Sequence, residues 1–180
     1  MRATLTPHRD SSAPEGLCVE VEAMRIGPHR LILTYAVTGS IGNLFIPEPG
    51  PIARADDLWR RTCFEAFLAG QGTRYYEFNA APSSQWAAYH FGDYRAGMQV
   101  ADEVAEPRIE TGMGEGRFEL KASFDLGQTF LAAEPSWRLG LSAVMEDGIG
   151  SLSYWAMAHL SGPADFHHPA SFIAELVTPS

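Results

Sequence analysis

Between Leu58 and Met98 the chain reads LWRRTCFEAFLAGQGTRYYEFNAAPSSQWAAYHFGDYRAGM. Glu65, Glu77, Asn79, Trp86 and His90 fall inside its strand-like runs, where a purely structural sheet favours apolar or small side chains. A tryptophan offers an apolar plane with a polar edge, suited to stacking on a pyranose face or another ring. Carboxylates and a side-chain amide exchange hydrogen bonds with hydroxyls, in fixed geometry when strands hold them. This set suits a face that grips a polar, partly flat ligand, and it points to binding rather than turnover. The competing reading makes Glu65 and Glu77 solvated residues paired with Arg60, Arg61 or Arg74, an arrangement that contributes little to stability.

Period-two alternation decides which of these side chains meet. If Phe64, Ala66 and Leu68 point inward, then Cys63, Glu65 and Phe67 point outward; likewise Tyr76, Phe78 and Ala80 oppose Tyr75, Glu77 and Asn79. Folding back through Ala81-Pro82-Ser83-Ser84 with Ala80 paired to Gln85 sets Asn79 opposite Trp86, Glu77 opposite Ala88 and Tyr75 opposite His90. Glu77, Asn79, Trp86 and His90 then share a face, with Glu65 beside them. A slip of one residue exchanges the faces.

Strand-like runs fill the rest of the chain. Leu17–Ile26 and His29–Thr38 read as a hairpin about Gly27-Pro28, and Leu31, Leu33, Tyr35 and Val37 take one face of the second run. Phe118, Leu120, Ala122 and Phe124 alternate with charged or small residues, as in a half-buried strand. Trp137–Met145 and Leu152–Ala158 form a second hairpin candidate, and Ser171–Val177 closes the chain. Only Ile52–Arg61 and Gln128–Ala133 suit short helices. Eight to ten strands separated by turn signals predict an all-β fold, an antiparallel β-sandwich of jelly-roll or immunoglobulin-like type, as one domain over residues 1–180.

Composition narrows the partners. The net charge of −9, from 22 acidic against 13 basic residues, argues against sequence-independent nucleic-acid binding and against an anionic membrane surface. No apolar run is long enough to span a bilayer, and MRATLTPHRDSSAPEG lacks the apolar core of a secretory signal, so a cytoplasmic protein is expected. Cys18 and Cys63 make no disulfide framework; Cys63, in mid-strand, is expected to be inert packing.

The block WRRTCFEAFL…YYEFNAAPSSQWAAYHF…YRAGM, followed by SYWAMAHLSGPADFHH, resembles bacterial DOMON-like domain proteins, which are related to family-nine carbohydrate-binding modules. The resemblance runs from about Trp59 to Leu176 and implies a β-sandwich that binds sugar or haem. Sugar-binding relatives are typically secreted, often appended to hydrolases, whereas this chain shows no signal. Haem-binding relatives use Met and His as axial ligands, for which the chain offers His90, His159, Met98, Met113, Met145 and Met157.

The expectation is a non-catalytic module for a sugar or other small polar ligand, without a resident cofactor. Trp86 would stack, with Trp155 or Trp59 as a second platform. Glu65, Glu77 and Asn79 would bond hydroxyls, and Arg95 would meet the charged group of an acidic sugar. Three readings compete with it: haem binding, a divalent metal held by Asp165, His168 or His167 with His159, and a glycosidase using Glu65 and Glu77. A protein–protein interaction module is the rival from another class, and a self-complementary aromatic patch would show as a dimer.

Overall fold

In a computed structural model, which describes residues 1–179, the regular secondary structure is almost wholly β-strand. The strands are β1 (Arg2–Pro7), β2 (Cys18–Ile26), β3 (Arg30–Thr38), β4 (Ala53–Arg54), β5 (Cys63–Ala69), β6 (Tyr75–Ala80) and β7 (Gln85–Phe91). They continue with β8 (Gln99–Val100), β9 (Arg108–Gly114), β10 (Arg117–Asp125), β11 (Ser136–Glu146), β12 (Leu152–Ala156) and β13 (Ala174–Val177). They pair in the order β4-β7-β6-β5-β11-β12-β1-β2-β3-β10-β9, with β13 also on β11 and β8 also on β7. β1 is the seam: Arg2–Leu5 pair with β2, while Thr6 and Pro7 pair with β12.

The sheet curls until its two halves pack against each other. Val19, Val21 and Ala23 of β2, Leu31, Leu33, Tyr35 and Val37 of β3, and Phe118, Leu120, Ala122 and Phe124 of β10 line one wall. Phe64, Ala66 and Leu68 of β5 and Tyr76, Phe78 and Ala80 of β6 line the other. Phe64 lies 4.8 Å from Tyr35 and 6.0 Å from Phe118 between ring centroids, and Phe78 lies 5.0 Å from Phe124. The Tyr35 hydroxyl donates to the Glu65 carbonyl at 2.7 Å, so even the polar tip of that buried ring is satisfied. Trp137 closes one end, its Nε1 donating to the Leu131 carbonyl at 2.8 Å and the Arg25 guanidinium lying 3.8 Å from its ring centroid.

The all-β expectation holds, with thirteen strands among the described residues rather than eight to ten. All pairings are antiparallel except β4 with β7, which is parallel. The two expected helical segments are single 3-10 turns, at Leu58–Arg60 and Phe130–Ala133. β1, β4, β8 and β9 are the strands without a strong sequence signal: β4 and β8 have two residues each, with β4 inside the segment expected to be helical, while β1 and β9 each bury one apolar side chain, Leu5 or Ile109, and β9 carries two glycines.

The register between β6 and β7 departs from expectation by one residue. Ala80 pairs with Trp86, not Gln85; Asn79 pairs with Ala87, Glu77 with Tyr89, and Tyr76 with His90. The loop is the cause. Ser84 takes a left-handed conformation (φ 68°), and the Ala81 N–H donates to the Gln85 carbonyl at 2.9 Å, which closes a three-residue hairpin loop over Pro82-Ser83-Ser84. Trp86 and His90 therefore lie on the face opposite Glu77 and Asn79. Trp86 is 6% exposed in the main core, with the Arg54 guanidinium 5.5 Å from its ring. Trp155 is a core residue too, 3% exposed, its Nε1 donating to Ser153 Oγ; its neighbour Tyr154 turns outward.

Candidate functional site

The outer face of β5, β6, β7 and β11 carries the polar residues. Glu65 pairs with Asn79 across β5 and β6 and with Ser142 across β5 and β11; Glu77 sits one step along the same face, opposite Phe67 and Tyr89. A diagonal pair of this kind has its Cβ atoms roughly 7–8 Å apart, within reach of two glutamate side chains. The faces of β5 and β6 are those expected from alternation. The solvated reading of the carboxylates is not met: Glu65, Glu77 and Asn79 are 3%, 5% and 1% exposed. Arg61 pairs instead with Glu146, and Arg74 lies over Phe130.

A strap from His159 to Ile173 covers this face. Phe166, His167 and Phe172 pack on Phe67, Tyr75 and Phe91, with His167 4.9 Å from Phe67 and 5.1 Å from Phe91 between centroids. Small residues on the strands admit the strap, and beneath Phe166 and Ser171 it leaves no room for a water molecule. Gly140 is the tightest point: a Cβ there would lie 2.8 Å from Phe172 Cδ1 and 3.4 Å from the Ser171 carbonyl oxygen. Gly140→Ala is expected to cost roughly 1–3 kcal/mol by overpacking. It should also speed hydrogen exchange across residues 165–173; unchanged exchange would show that the strap absorbs the methyl group.

Polar clamps fix the strap. The Arg95 guanidinium donates to Asp165 Oδ1 from Nη2 at 2.9 Å and from Nε at 3.2 Å, and the Tyr94 hydroxyl donates to Asp165 Oδ2. Burial works against the ionised Asp165, but these hydrogen bonds outweigh it and hold its pKa below the ordinary carboxylate value. Arg95 occupies a left-handed backbone conformation (φ 51°), and its N–H donates to the Tyr75 hydroxyl at 3.2 Å. Tyr75 in turn meets His167 Nδ1 at 2.8 Å.

Beneath the clamps the electrostatics are those of a dry site. Desolvation, reinforced by the neighbouring Glu77, pushes Glu65 up to about 8, against the lowering effect of the Ser142 hydroxyl donating to it at 3.0 Å. Glu77 is raised as well, by burial, although Asn79 Nδ2 donates to it at 2.7 Å and Arg95 lies nearby. His167 Nε2 stands 3.7 Å from Glu77, but burial drops His167 to about 4, so this contact is not an ion pair at neutral pH. The Cys63 thiol, 3.6 Å from Asn79 Oδ1, is also pushed up by burial, which fits inert packing.

The rim is open. Trp59 is 45% exposed on the turn Leu58–Arg60, anchored by Leu58 against the cluster of Phe67, Tyr75, Tyr89 and Phe91. Asp56, just before that turn, accepts from the Tyr89 hydroxyl at 2.6 Å. The structure thus brings Glu65, Glu77 and Asn79 together on one face, with Arg95 and Trp59 flanking it, and separates Trp86, His90 and Trp155 from them. Tyr75 lies on this face as alternation predicts, whereas Asp56, Tyr89 and His167 belong to it and were not expected there; the polar–aromatic run Asp165-Phe166-His167-His168 was the one signal for the strap.

The other readings find less support. Among the described residues no three His, Cys, Asp or Glu side chains converge as metal ligands. Asp165 and His168 instead accept the backbone N–H groups of His167 and Ala170, and His159 Nε2 meets the Thr6 carbonyl. The haem candidates are dispersed: Met98 and Met113 are exposed, Met145 is buried in the core, and His90 faces Gln99 and Glu103.

No family model matches the chain, and no curated protein sequence matches it. Among solved structures, a candidate carbohydrate-binding protein from Bacteroides uniformis has a TM-score of 0.68 at 17% identity, over 98% of this chain and 85% of that one. A family 9 carbohydrate-binding module from Caldicellulosiruptor kristjanssonii, solved in complex with glucose, has a TM-score of 0.50 at 12% identity, over 97% of this chain and 83% of that one. At these identities the likeness is one of fold.

Proposed function

We propose that the chain is a non-catalytic, DOMON-like carbohydrate-binding domain, a two-layer β-sandwich whose ligand sits against the rim of the outer face. The carrying observation is the gathering of Glu65, Glu77 and Asn79 on one face of the sheet, flanked by the exposed Trp59 ring and the Arg95–Asp165 pair. The fold likeness to a module solved with glucose supports the same reading.

Each rim group has a role in that reading. The Trp59 ring, with the Arg60 guanidinium 5.0 Å away over it, is the stacking plane for a pyranose. Asp165 and Asp56 accept from sugar hydroxyls, and Arg95 donates to them or to a carboxylate substituent. Glu65, Glu77 and Asn79 lie behind His167 and reach the ligand only as the strap shifts; otherwise they hold the rim in place.

Trp59→Ala is expected to weaken saccharide binding roughly tenfold or more, while the thermal midpoint stays within a few degrees because the ring is exposed. Thermal shift and calorimetry against glucose, cello-oligosaccharides and uronic acids make the test. Failure of every saccharide to bind at millimolar concentration would remove the proposal. A Trp59-dependent dimer in sizing chromatography would favour a protein–protein interface instead.

A further inference from the structure

A second concavity lies where β6, β7 and β8 end against the turn at Phe130, with a volume of about 620 Å³. That is the size of a small-molecule site. Its walls include Arg74, Tyr76, His90, Gln99, Gln128 and Phe130. Tyr76 and His90 stand on the opposite face of β6 and β7 from Glu77, so the floor of this groove is distinct from the Trp59 face, while Phe91, Gly92 and Gly97 bring its edge to the turn that carries Arg95. We propose that it binds a small carboxylate-bearing molecule, with Arg74 as the anchoring cation.

The donor and acceptor inventory carries the assignment. Arg74 is exposed at the entry to β6, and its guanidinium lies 4.4 Å from the Phe130 ring centroid. The ring gives the planar fork a face to stack on. Among the described residues no carboxylate stands within 4.0 Å of that guanidinium, and Arg74 makes no side-chain hydrogen bond. The groove's own acid, Glu103, is already engaged: it accepts from the Tyr76 hydroxyl and faces His90 Nδ1 at 3.5 Å.

The remaining groups also lean towards donation. Gln99 Oε1 is occupied by His90 Nε2 at 3.1 Å, which leaves the Gln99 amide N–H groups for a ligand. Gln128 is exposed beside them on the same groove. A cation stacked on Phe130 and free of a carboxylate partner, with amide donors beside it, matches a carboxylate bound in the two-bond geometry of arginine, with Glu103, hydrogen-bonded by the Tyr76 hydroxyl, the acid on the same groove. The carboxylate has two chemical carriers, a free short-chain acid and a uronic acid sugar.

Calorimetry at low salt with sodium succinate, sodium glucuronate and glucose separates these, using the full chain, Arg74→Gln and Trp59→Ala. The expected result is carboxylate binding that weakens roughly tenfold or more in Arg74→Gln, weakens with added salt, and is unchanged in Trp59→Ala. Equal binding of succinate and glucuronate would mean that the carboxylate alone is read; binding of glucuronate only would add the sugar ring to what is read. Either supports the site. Absence of carboxylate binding at millimolar concentration overturns it, as does equal affinity in an Arg74→Gln variant with an unchanged thermal midpoint. Loss of carboxylate binding in Trp59→Ala would overturn it too, by moving the ligand to the other rim. Glucose binding that depends on Trp59 tests the saccharide reading separately, so either proposal can fail alone.

Discussion

Trp86→Ala is expected to destabilise the protein by roughly 3–5 kcal/mol, the range for removing a buried aromatic ring, and to leave ligand affinity unchanged in the molecules that stay folded. The indole is packed in the main core beside Ala80 and Ala88, small residues that cannot collapse into the space it would leave. Among the described residues its Nε1 has no hydrogen-bond partner, so Trp86→Phe, which deletes that buried donor, should cost much less than the alanine. Urea unfolding of the two variants makes the measurement. An alanine variant with the parental midpoint would put the ring outside the core and contradict the pairing of Ala80 with Trp86.

Glu65→Gln should markedly change how stability depends on pH. The Glu65 carboxyl titrates at about 8 in the folded protein, against an ordinary value of 4.5. Its pKa is raised on folding, so the folded state binds a proton that the unfolded chain releases between those values. The contribution is fully present below about pH 4.5 and is lost as pH rises towards 8. Glutamine keeps the shape and cannot ionise, so the variant should not show that loss. The two proteins should match near pH 4 and diverge by roughly 3–5 kcal/mol near pH 8, with the variant the more stable. Denaturant melts from pH 4 to 9 measure the difference directly, since groups such as Asp165 and Glu103 affect both proteins alike. Parallel profiles would mean that Glu65 reaches water.

Much of the strand framework was legible because period-two alternation is a local property. β2, β3, β10 and β11 announced themselves, and so did the opposite faces of β5 and β6. The β6–β7 register was not legible, because it turns on one backbone angle. Serine at 84 gives no hint of a left-handed conformation, which a glycine or asparagine would have signalled. The pair Tyr154-Trp155 posed the same problem, since alternation says that the two diverge and not which goes inward. The burial of Glu65 and Glu77 depends on a strap that begins some eighty residues away in sequence, and no window around the strands contains it. The expected ligand face therefore kept Glu65, Glu77 and Asn79 and lost Trp86 and His90.

The seam at β1 and the closure of β11 on β5 also bear on kinetics. Thr6 meets Ala156 across 150 positions of chain, and Ser142 meets Glu65 across 77. Contacts of such separation must offset a loop-closure entropy before they stabilise anything, which places the chain among proteins that fold in roughly milliseconds to seconds. Until β11 docks, Glu65 is an ordinary solvated carboxylate at neutral pH. Docking desolvates it and draws a proton from solvent. Burial of Glu65 is therefore coupled to proton uptake, and if that burial precedes the folding transition state the refolding rate should slow with increasing pH over the interval in which the native protein loses stability.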